Sequence, residues 1–248
     1  MSPDLNPDPR EFDCRVFLLG GFAVRLSNTI VSMPADAVRL LAFLALQSEW
    51  VPRSFVAGSL WSDSSEKRAF GNLRSALWRL RRVSELLVES DHQALAIMSL
   101  VKVDLKDVIA SARDLETGSP AEWELPPIEM FTRELLPGWY DEWVLVDRER
   151  HRQRSLHALE QLSIRLVERK MYGGAIQAAL AAIARDPLRE SSHRQLISIH
   201  LREGNYSEAR RQYQEYRQLL YDELGIGPSP MLHRLIEGAL GGAIALAE

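Results

Sequence analysis

The stretch Glu66-Lys-Arg-Ala-Phe-Gly-Asn-Leu-Arg-Ser-Ala-Leu-Trp-Arg-Leu-Arg-Arg82 decides how this chain is read. At about 100° per residue on a helix, Arg68, Asn72, Ser75, Arg79 and Arg82 stack on one face at spacings of 4, 3, 4 and 3. Ala69, Leu73, Ala76, Leu77 and Leu80 fall on the opposite face. The pattern predicts an amphipathic helix whose wet side carries guanidinium groups and an amide. Arginine pairs bidentately with guanine or clamps a phosphate, and asparagine pairs bidentately with adenine. That is the chemistry of a helix in a DNA major groove, with an ordinary solvated basic face as the competing reading. With Arg74, the expected DNA-binding set is Arg68, Asn72, Arg74, Ser75, Arg79 and Arg82. Gly71 interrupts this helix at a cost of roughly 1 kcal/mol in propensity. We read it as tolerated, the alternative being close backbone approach to DNA.

The flanking residues favour the DNA reading. Pro52 opens a short helix running to Trp61, and Ser62 to Ser65 form a polar turn. Asp63, followed three residues later by Glu66, resembles a capping box at the start of the basic helix. Two helices joined by a short turn, the second basic, match helix-turn-helix geometry. Ahead of them, Ala35 to Gln47 is apolar nearly all round and predicts a buried helix. Behind them, Leu86 to Glu89 and Ala94 to Met98 bracket Ser90-Asp-His-Gln93, which predicts a β-hairpin, the wing of a winged helix. Arg15 to Leu19, Phe22 to Leu26 and Thr29 to Met33 are short strands divided by Gly20-Gly21 and Ser27-Asn28. A small sheet ahead of three helices resembles the response-regulator (OmpR-type) winged helix.

These residues carry a family resemblance. Val16-Phe-Leu-Leu-Gly-Gly-Phe-Ala-Val-Arg-Leu26, Leu60-Trp61 and Asn72-Leu-Arg-Ser-Ala-Leu-Trp-Arg-Leu-Arg81 resemble the N-terminal domain of the Streptomyces antibiotic regulatory proteins. Leu135-Leu-Pro-Gly-Trp-Tyr-Asp-Glu-Trp143 with Arg148-Glu-Arg150, and Tyr221-Asp-Glu-Leu-Gly-Ile-Gly-Pro-Ser-Pro230, are similar to signatures of the bacterial transcriptional activator domain. One departure is the wing, where Ala94-Leu-Ala-Ile-Met-Ser-Leu100 replaces a Gly-rich, Tyr-containing strand and leaves minor-groove contact open. The resemblance implies an activator of an actinobacterial antibiotic gene cluster that binds double-stranded promoter DNA. It implies two protomers side by side on direct repeats, a dimer on DNA. It further implies that the turn between the helices, with the helical domain, meets RNA polymerase holoenzyme and its sigma factor. We assign that contact to Trp61, Asp63, Ser64 and Glu66, on the side away from the base-reading face, with helix capping as the competing role of the two carboxylates.

Composition bounds the alternatives. A chain of 248 residues with 46% hydrophobic content can build two cores. The net charge of −4 is uneven: the first 104 residues are neutral overall, and residues 66–82 hold six Lys or Arg against one Glu. Screening confines charge effects to about 10 Å, so a local basic stripe suffices for groove binding. The acidic second half suits protein contacts. The single cysteine, Cys14, excludes an intramolecular disulfide framework and a zinc finger, and reads as a packed strand thiol. Met1 to Pro9, acidic and proline-rich, reads as a disordered lead-in and not a signal peptide. No apolar run approaches the ~20 residues of a membrane span, so no membrane contact and a cytoplasmic location are expected.

The second half repeats. Leu162 and Leu196, Tyr172 and Tyr206, and Ala175 and Ala209 are each 34 residues apart, the tetratricopeptide period. Gly173-Gly174 and Gly204-Asn205 are expected to turn within each helix pair, and Pro187 to stop a helix. A long helix from about Asp147 to Met171 precedes the pairs, and Ser229-Pro230 opens a last helix ending near Leu240. Most of Tyr172, Tyr206, Tyr213, Tyr216 and Tyr221 are read as packing between repeats. Trp139, Tyr140 and Trp143 are expected to anchor the helical domain's first helix to its own core. Arg148, Arg150, Arg152 and Arg154 are read as solvated surface, and His157 and His193 as helix-surface residues.

The expected fold is therefore mainly α with a small β component: a winged helix-turn-helix followed by an all-α tetratricopeptide-like domain. The boundaries are a lead-in at 1–13, a DNA-binding domain at 14–106, a connector at 107–127, the activator domain at 128–240 and a tail at 241–248. No Walker loop, G-x-G-x-x-G, H-E-x-x-H or G-x-S-x-G is present, and the six histidines lack metal-ligand spacing. No catalytic residue, cofactor or metal is expected, so the chain is read as no enzyme. The reading from a different class is a tetratricopeptide-like interaction adaptor carrying a vestigial winged helix.

Overall fold

Alternating burial at Cys14, Val16 and Leu18 makes the first strand one-faced, and the sheet is built around it. The computed structural model describes residues 13–118 and 124–245. The lead-in expected at 1–13 lies, up to residue 12, outside the described residues, as does 119–123 of the expected connector.

The elements run β1 (Cys14–Phe17), β2 (Ala23–Leu26), β3 (Thr29–Ile30), α1 (Ala35–Leu46), β4 (Val51–Pro52), α2 (Arg53–Leu60), α3 (Glu66–Val83), β5 (Val88–Ser90), β6 (Ala94–Ile97) and β7 (Val101–Val103). They continue as α4 (Asp104–Thr117), α5 (Glu129–Thr132), α6 (Glu142–Glu168), α7 (Tyr172–Arg185), α8 (Glu190–Arg202), α9 (Tyr206–Leu224) and α10 (Pro230–Ala245). The fold is that of a winged helix-turn-helix followed by tetratricopeptide-like helices, as the sequence predicts. No helix among the described residues is long and apolar enough to cross a membrane.

The chain divides into two compact units whose sequences interleave. The first holds residues up to Ile109 together with Arg133–His151; the second holds Ala110–Thr132 and the chain from Arg152 on. The connector expected at 107–127 is thus largely the helix α4, and α10 continues past Leu240 into the expected tail.

In the first unit one sheet has the order β3-β2-β1-β7, with β1 antiparallel to β2 and parallel to β7. The second sheet, β4-β6-β5, contains the wing hairpin and is completed by Val51 pairing with Leu95. Helix α1 buries Leu40, Leu41, Phe43 and Leu44; α2 adds Val56 and Leu60; α3 adds Leu73, Ala76 and Leu80.

A distant segment closes this core. Leu135 bridges to Leu19, and Leu136 N–H donates to the Leu18 carbonyl at 2.8 Å. Trp143 meets Phe43 edge-on at 5.3 Å, and Trp139 lies 6.1 Å from Phe22. Trp139 and Trp143 therefore anchor their segment to the winged-helix core and not, as expected, to the helical domain; Tyr140 is 81% exposed and anchors nothing. Arg148, expected on a solvated surface, donates to the carbonyls of Leu135 (3.0 Å), Leu136 (2.5 Å) and Trp139 (2.8 Å). It also pairs with Glu134 at 3.2 Å. A forked guanidinium is the one side chain able to satisfy three loop carbonyls while keeping a charge partner.

In the second unit α7 opens at Tyr172 and α9 at Tyr206, so the 34-residue period is a period of helix starts. Ala175, Ala209, Leu162 and Leu196 are buried, as small and apolar residues at these positions require for close helix pairing. Gly173 and Gly174 lie inside α7 and not in the turn; Lys170, at φ 59°, makes the reversal instead. A Cβ at Gly174 would stand 3.4 Å from Leu166. Tyr216 and Leu220 join Ile197, Ala209, Leu232 and Ile236 in the core. Tyr221 and Tyr206 are exposed and do not pack between repeats. His193, expected on the surface, is 3% exposed and stacks on Tyr216 at 4.0 Å. Its Nε2 donates to the Pro187 carbonyl at 2.8 Å while Nδ1 accepts from Gln212 at 3.0 Å. This fixes a neutral ring, and burial pushes its pKa below the ordinary value.

Candidate nucleic-acid interface

Helix α3 starts where backbone hydrogen bonds take over from the turn. Its N-cap is Ser65, whose side chain makes no capping bond, and the Ser65 carbonyl accepts from Arg68 N–H at 2.9 Å. The capping box expected of Asp63 and Glu66 is absent. Asp63 instead accepts a long bond from Ser62 at 3.5 Å. Glu66 stands in the first turn, where its charge complements the helix dipole.

The two faces of α3 separate as the periodicity demands. Ala69, Leu73, Ala76, Leu77 and Leu80 are buried. Arg68, Arg74, Ser75, Arg79 and Arg82 are exposed, and Asn72 is half-buried at the border of the apolar face. Arg68 and Arg74 pair with no carboxylate among the described residues. Arg82 lies over the Trp78 ring, 5.0 Å from its centroid, a cation–π contact that holds the guanidinium along the helix. Ser75 donates to the Gly71 carbonyl at 3.1 Å, so its hydroxyl proton is already used within the helix. Nothing nearer than the flexible end of Arg74, at 3.8 Å, faces an added Cβ at Gly71; no packing contact requires glycine there.

Arg79 is held from outside the helix. Its Nη1 donates to Asp36 at the start of α1, an ion pair with a carboxylate that no local pattern singles out. The other Asp36 oxygen accepts from Ala37 N–H at 3.0 Å. Asn72, Ser75 and Arg79 share one open hollow with Pro34, Ala35, Asp36 and Trp61. Three of the six expected DNA-binding residues are thus gathered in one place; Arg68, Arg74 and Arg82 do not line this hollow.

Trp61 lines this hollow and the neighbouring one as well. Asp63 and Ser64 line a second concavity with Trp61, Arg39, Asp141 and Glu142, where Arg39 pairs with Asp141. Of the expected polymerase-contact set, Trp61, Asp63 and Ser64 thus share this second concavity, and Glu66 lines neither hollow.

The wing is stiff at its tip. The Asp91 carboxylate accepts from Ala94 N–H at 2.6 Å and Gln93 N–H at 2.7 Å, and these bonds hold its pKa below the usual carboxylate range. Arg81 reaches Ser90 of β5 and ties α3 to the hairpin. Arg53 donates to the Asp91 carbonyl at 3.0 Å, leaving His92 and Gln93 exposed at the turn. Trp78, 59% exposed, is the apolar member of the face that sequence reasoning missed. Its spacing of four from both Arg74 and Arg82 was sufficient signal.

The bacterial transcriptional activator domain family matches residues 102–240. The chain belongs to this family. Regulatory protein AfsR of Streptomyces coelicolor is 25% identical over 225 residues, covering 87% of this chain and 23% of that protein. The chain thus spans about a quarter of the length of the curated relative it matches. The solved structure of Mycobacterium tuberculosis EmbR, in complex with a low-affinity phosphopeptide, superposes with a TM-score of 0.77 at 18% identity. That match covers 94% of this chain and 66% of the other, and at this identity shows a shared fold. These findings agree with the sequence reading at the level they reach, a bacterial transcriptional activator domain in a chain similar to a Streptomyces regulatory protein. The family segment begins inside β7, so part of what the sequence assigned to the activator domain, residues 133–151, packs within the winged-helix unit.

Proposed function

We propose that this chain is a non-enzymatic, cytoplasmic transcriptional activator that reads promoter DNA in a sequence-specific way and recruits RNA polymerase to an antibiotic gene cluster. The observation that carries this is the wet face of α3, an amide and five arginines opposite an unbroken buried stripe. Asn72 and Arg79 take the base edges or adjacent phosphates, Arg68 grips backbone near the helix start, and Arg74, Ser75 and Arg82 flank them. Two protomers occupy direct repeats one helical turn apart, about 10–11 bp. Sigma factor and the rest of the holoenzyme meet the turn at Asp63, Ser64 and Glu66, with Trp61 at its root. The missing capping bond supports this, since it leaves Asp63 in one hollow with Glu142 as negative charge for a basic partner, Asp141 there being taken up by Arg39.

The test is binding of the full chain to promoter-derived duplexes. Arg68→Ala/Arg79→Ala should abolish selective binding while circular dichroism stays unchanged; intact binding overturns the reading. Half a helical turn inserted between repeats should abolish cooperativity. Ser64→Arg should spare DNA affinity and lower transcription in a purified system. Normal transcription from Ser64→Arg moves the activating surface elsewhere. An adaptor acting through the helical unit alone would lose nothing with the double variant.

A further inference from the structure

Asp36 presents a negative charge in a hollow that the reading above gives to a polyanion. A carboxylate there repels phosphates, so it contributes nothing to plain affinity for DNA. Yet it is built in: one oxygen is tied to Ala37 N–H at 3.0 Å and the other to Arg79 Nη1. Asp36 is only 25% exposed at its side chain, and Arg79 is 46% exposed. The hollow around them includes Asn72 and Trp61.

Resting on the DNA-binding reading, we propose that Asp36 is a positioning residue that makes Arg79 a reader of one base pair and not a clamp for any phosphate. An exposed arginine on a helix has many rotamers, and ordering them on contact opposes binding. Asp36 orders Arg79 beforehand through one of its five N–H donors. The remaining donors are left for a planar, bidentate acceptor pair, and guanine N7 and O6 in the major groove supply one. The carboxylate also neutralises the arginine, so the attraction of Arg79 for the backbone of unrelated DNA is reduced. Discrimination is gained from both sides: the right base is met by an ordered fork, and phosphate is refused. Arg74 and Arg68, which no carboxylate holds among the described residues, keep the opposite role of non-selective phosphate contact.

The experiment uses the full chain and duplexes with a randomised core, from which the wild type selects its preferred sequence. Wild type, Asp36→Asn, Arg79→Ala and the double variant are then titrated against that duplex and against duplexes altered at one base pair at a time. The amide introduced by Asp36→Asn retains an oxygen for Ala37 N–H, and thermal melting checks that each variant folds. Arg79→Ala should erase roughly 5- to 150-fold discrimination at one base pair, the worth of a bidentate contact. Asp36→Asn should erase most of the same discrimination at the same base pair, and the double variant should lose no more than Arg79→Ala alone. Asp36→Asn should also bind unrelated duplexes more tightly, with a salt slope steeper by about one counterion. A simple structural role for Asp36 predicts neither change. Unaltered discrimination and salt slope in Asp36→Asn overturn the inference and leave DNA binding standing. Failure of the wild type to prefer any sequence overturns the DNA reading and this inference with it.

Discussion

The two units of this chain dispose of their charged side chains in opposite ways. In the helical unit, charge is spent on joining helices. Arg189 pairs with Glu160 at 2.9 Å, Arg152 with Asp186 at 3.2 Å, and Glu190 accepts from the Ser229 backbone at 2.7 Å. Burial would raise the Glu160 pKa, but hydrogen bonds from Arg189, Ser191 and Ser192 outweigh it and hold the carboxyl below its usual range. In the winged-helix unit Arg39–Asp141 and Arg148–Glu134 involve residues 133–151, Arg15–Asp107 and Lys102–Asp13 lie along the sheet, and the arginines of α3 stand exposed. The difference teaches where to look for an interface: at charge the fold does not consume. The Asp36–Arg79 pair joins α1 to the face of α3 proposed to read DNA.

The sharpest way to break this contrast is Arg148→Met. Three loop carbonyls lose the guanidinium at once; Leu136 keeps the Trp139 N–H at 3.2 Å, while the carbonyls of Leu135 and Trp139 lose their donor, at about 1–3 kcal/mol each before relaxation. We expect a net loss of roughly 3 kcal/mol in urea unfolding of the winged-helix unit. Arg189→Met should cost less, because Ser191 and Ser192 still donate to Glu160. Equal losses would mean that the two units use their arginines alike.

The next effect concerns the open charges. Arg79→Ala should weaken binding to the preferred duplex by about 1–3 kcal/mol and unrelated duplexes far less. Arg74→Ala should weaken all duplexes alike and lower the salt slope by about one. Similar behaviour of the two variants in a salt titration would erase the distinction between held and unheld arginines on α3.

Gly71→Ala offers a smaller, opposite effect. The helix should gain about 1 kcal/mol, since the added methyl meets nothing nearer than 3.8 Å. Unchanged DNA affinity would identify Gly71 as tolerated; a selective loss of affinity would show that the backbone approaches DNA there.

The smallest effect is a slope. His193 is neutral when folded and its pKa is depressed by burial, so the unfolded chain takes up its proton first as pH falls. Its share of stability is whole above the ordinary histidine pKa of 6.5 and is lost as the pH drops from there through the folded value. His193→Gln should flatten that part of the profile for the helical unit, measured by urea midpoints across the histidine range. A profile of the same slope in the variant would assign the titration to another group.

What the sequence made legible was periodic and local. The 3.6-residue stripe of α3, the apolar run of α1 and the 34-residue repeat each announce themselves within one window. What stayed hidden depended on partners far along the chain. Val101-Lys-Val103 is too short to read as a strand until β1 lies beside it. Val51 and Pro52 become a strand only against Leu95 and Ala94. Trp139 and Trp143 were legible as anchors, but nothing local says that Phe22 and Phe43 receive them. His193 sits between Ser192 and Arg194, a polar neighbourhood in sequence that the Tyr216 ring covers in space. Asp36 carries no local signal of its role, because its pairing with Arg79 spans 43 residues.

The bridge from Leu19 to Leu135 sets a timetable for the newborn chain. A ribosome adds about 5–20 residues per second. Leu18, Leu19, Phe22 and Phe43 therefore wait through more than ninety further additions before their partners emerge. Such distant closure slows folding, because the entropy of a long loop is lost before the contact returns anything. During that interval the half-built winged-helix unit shows an apolar flank, a natural target for chaperones. A fragment cut at residue 106 would keep that flank permanently bare and aggregate, whereas one that carries Arg133–His151 restores the cover.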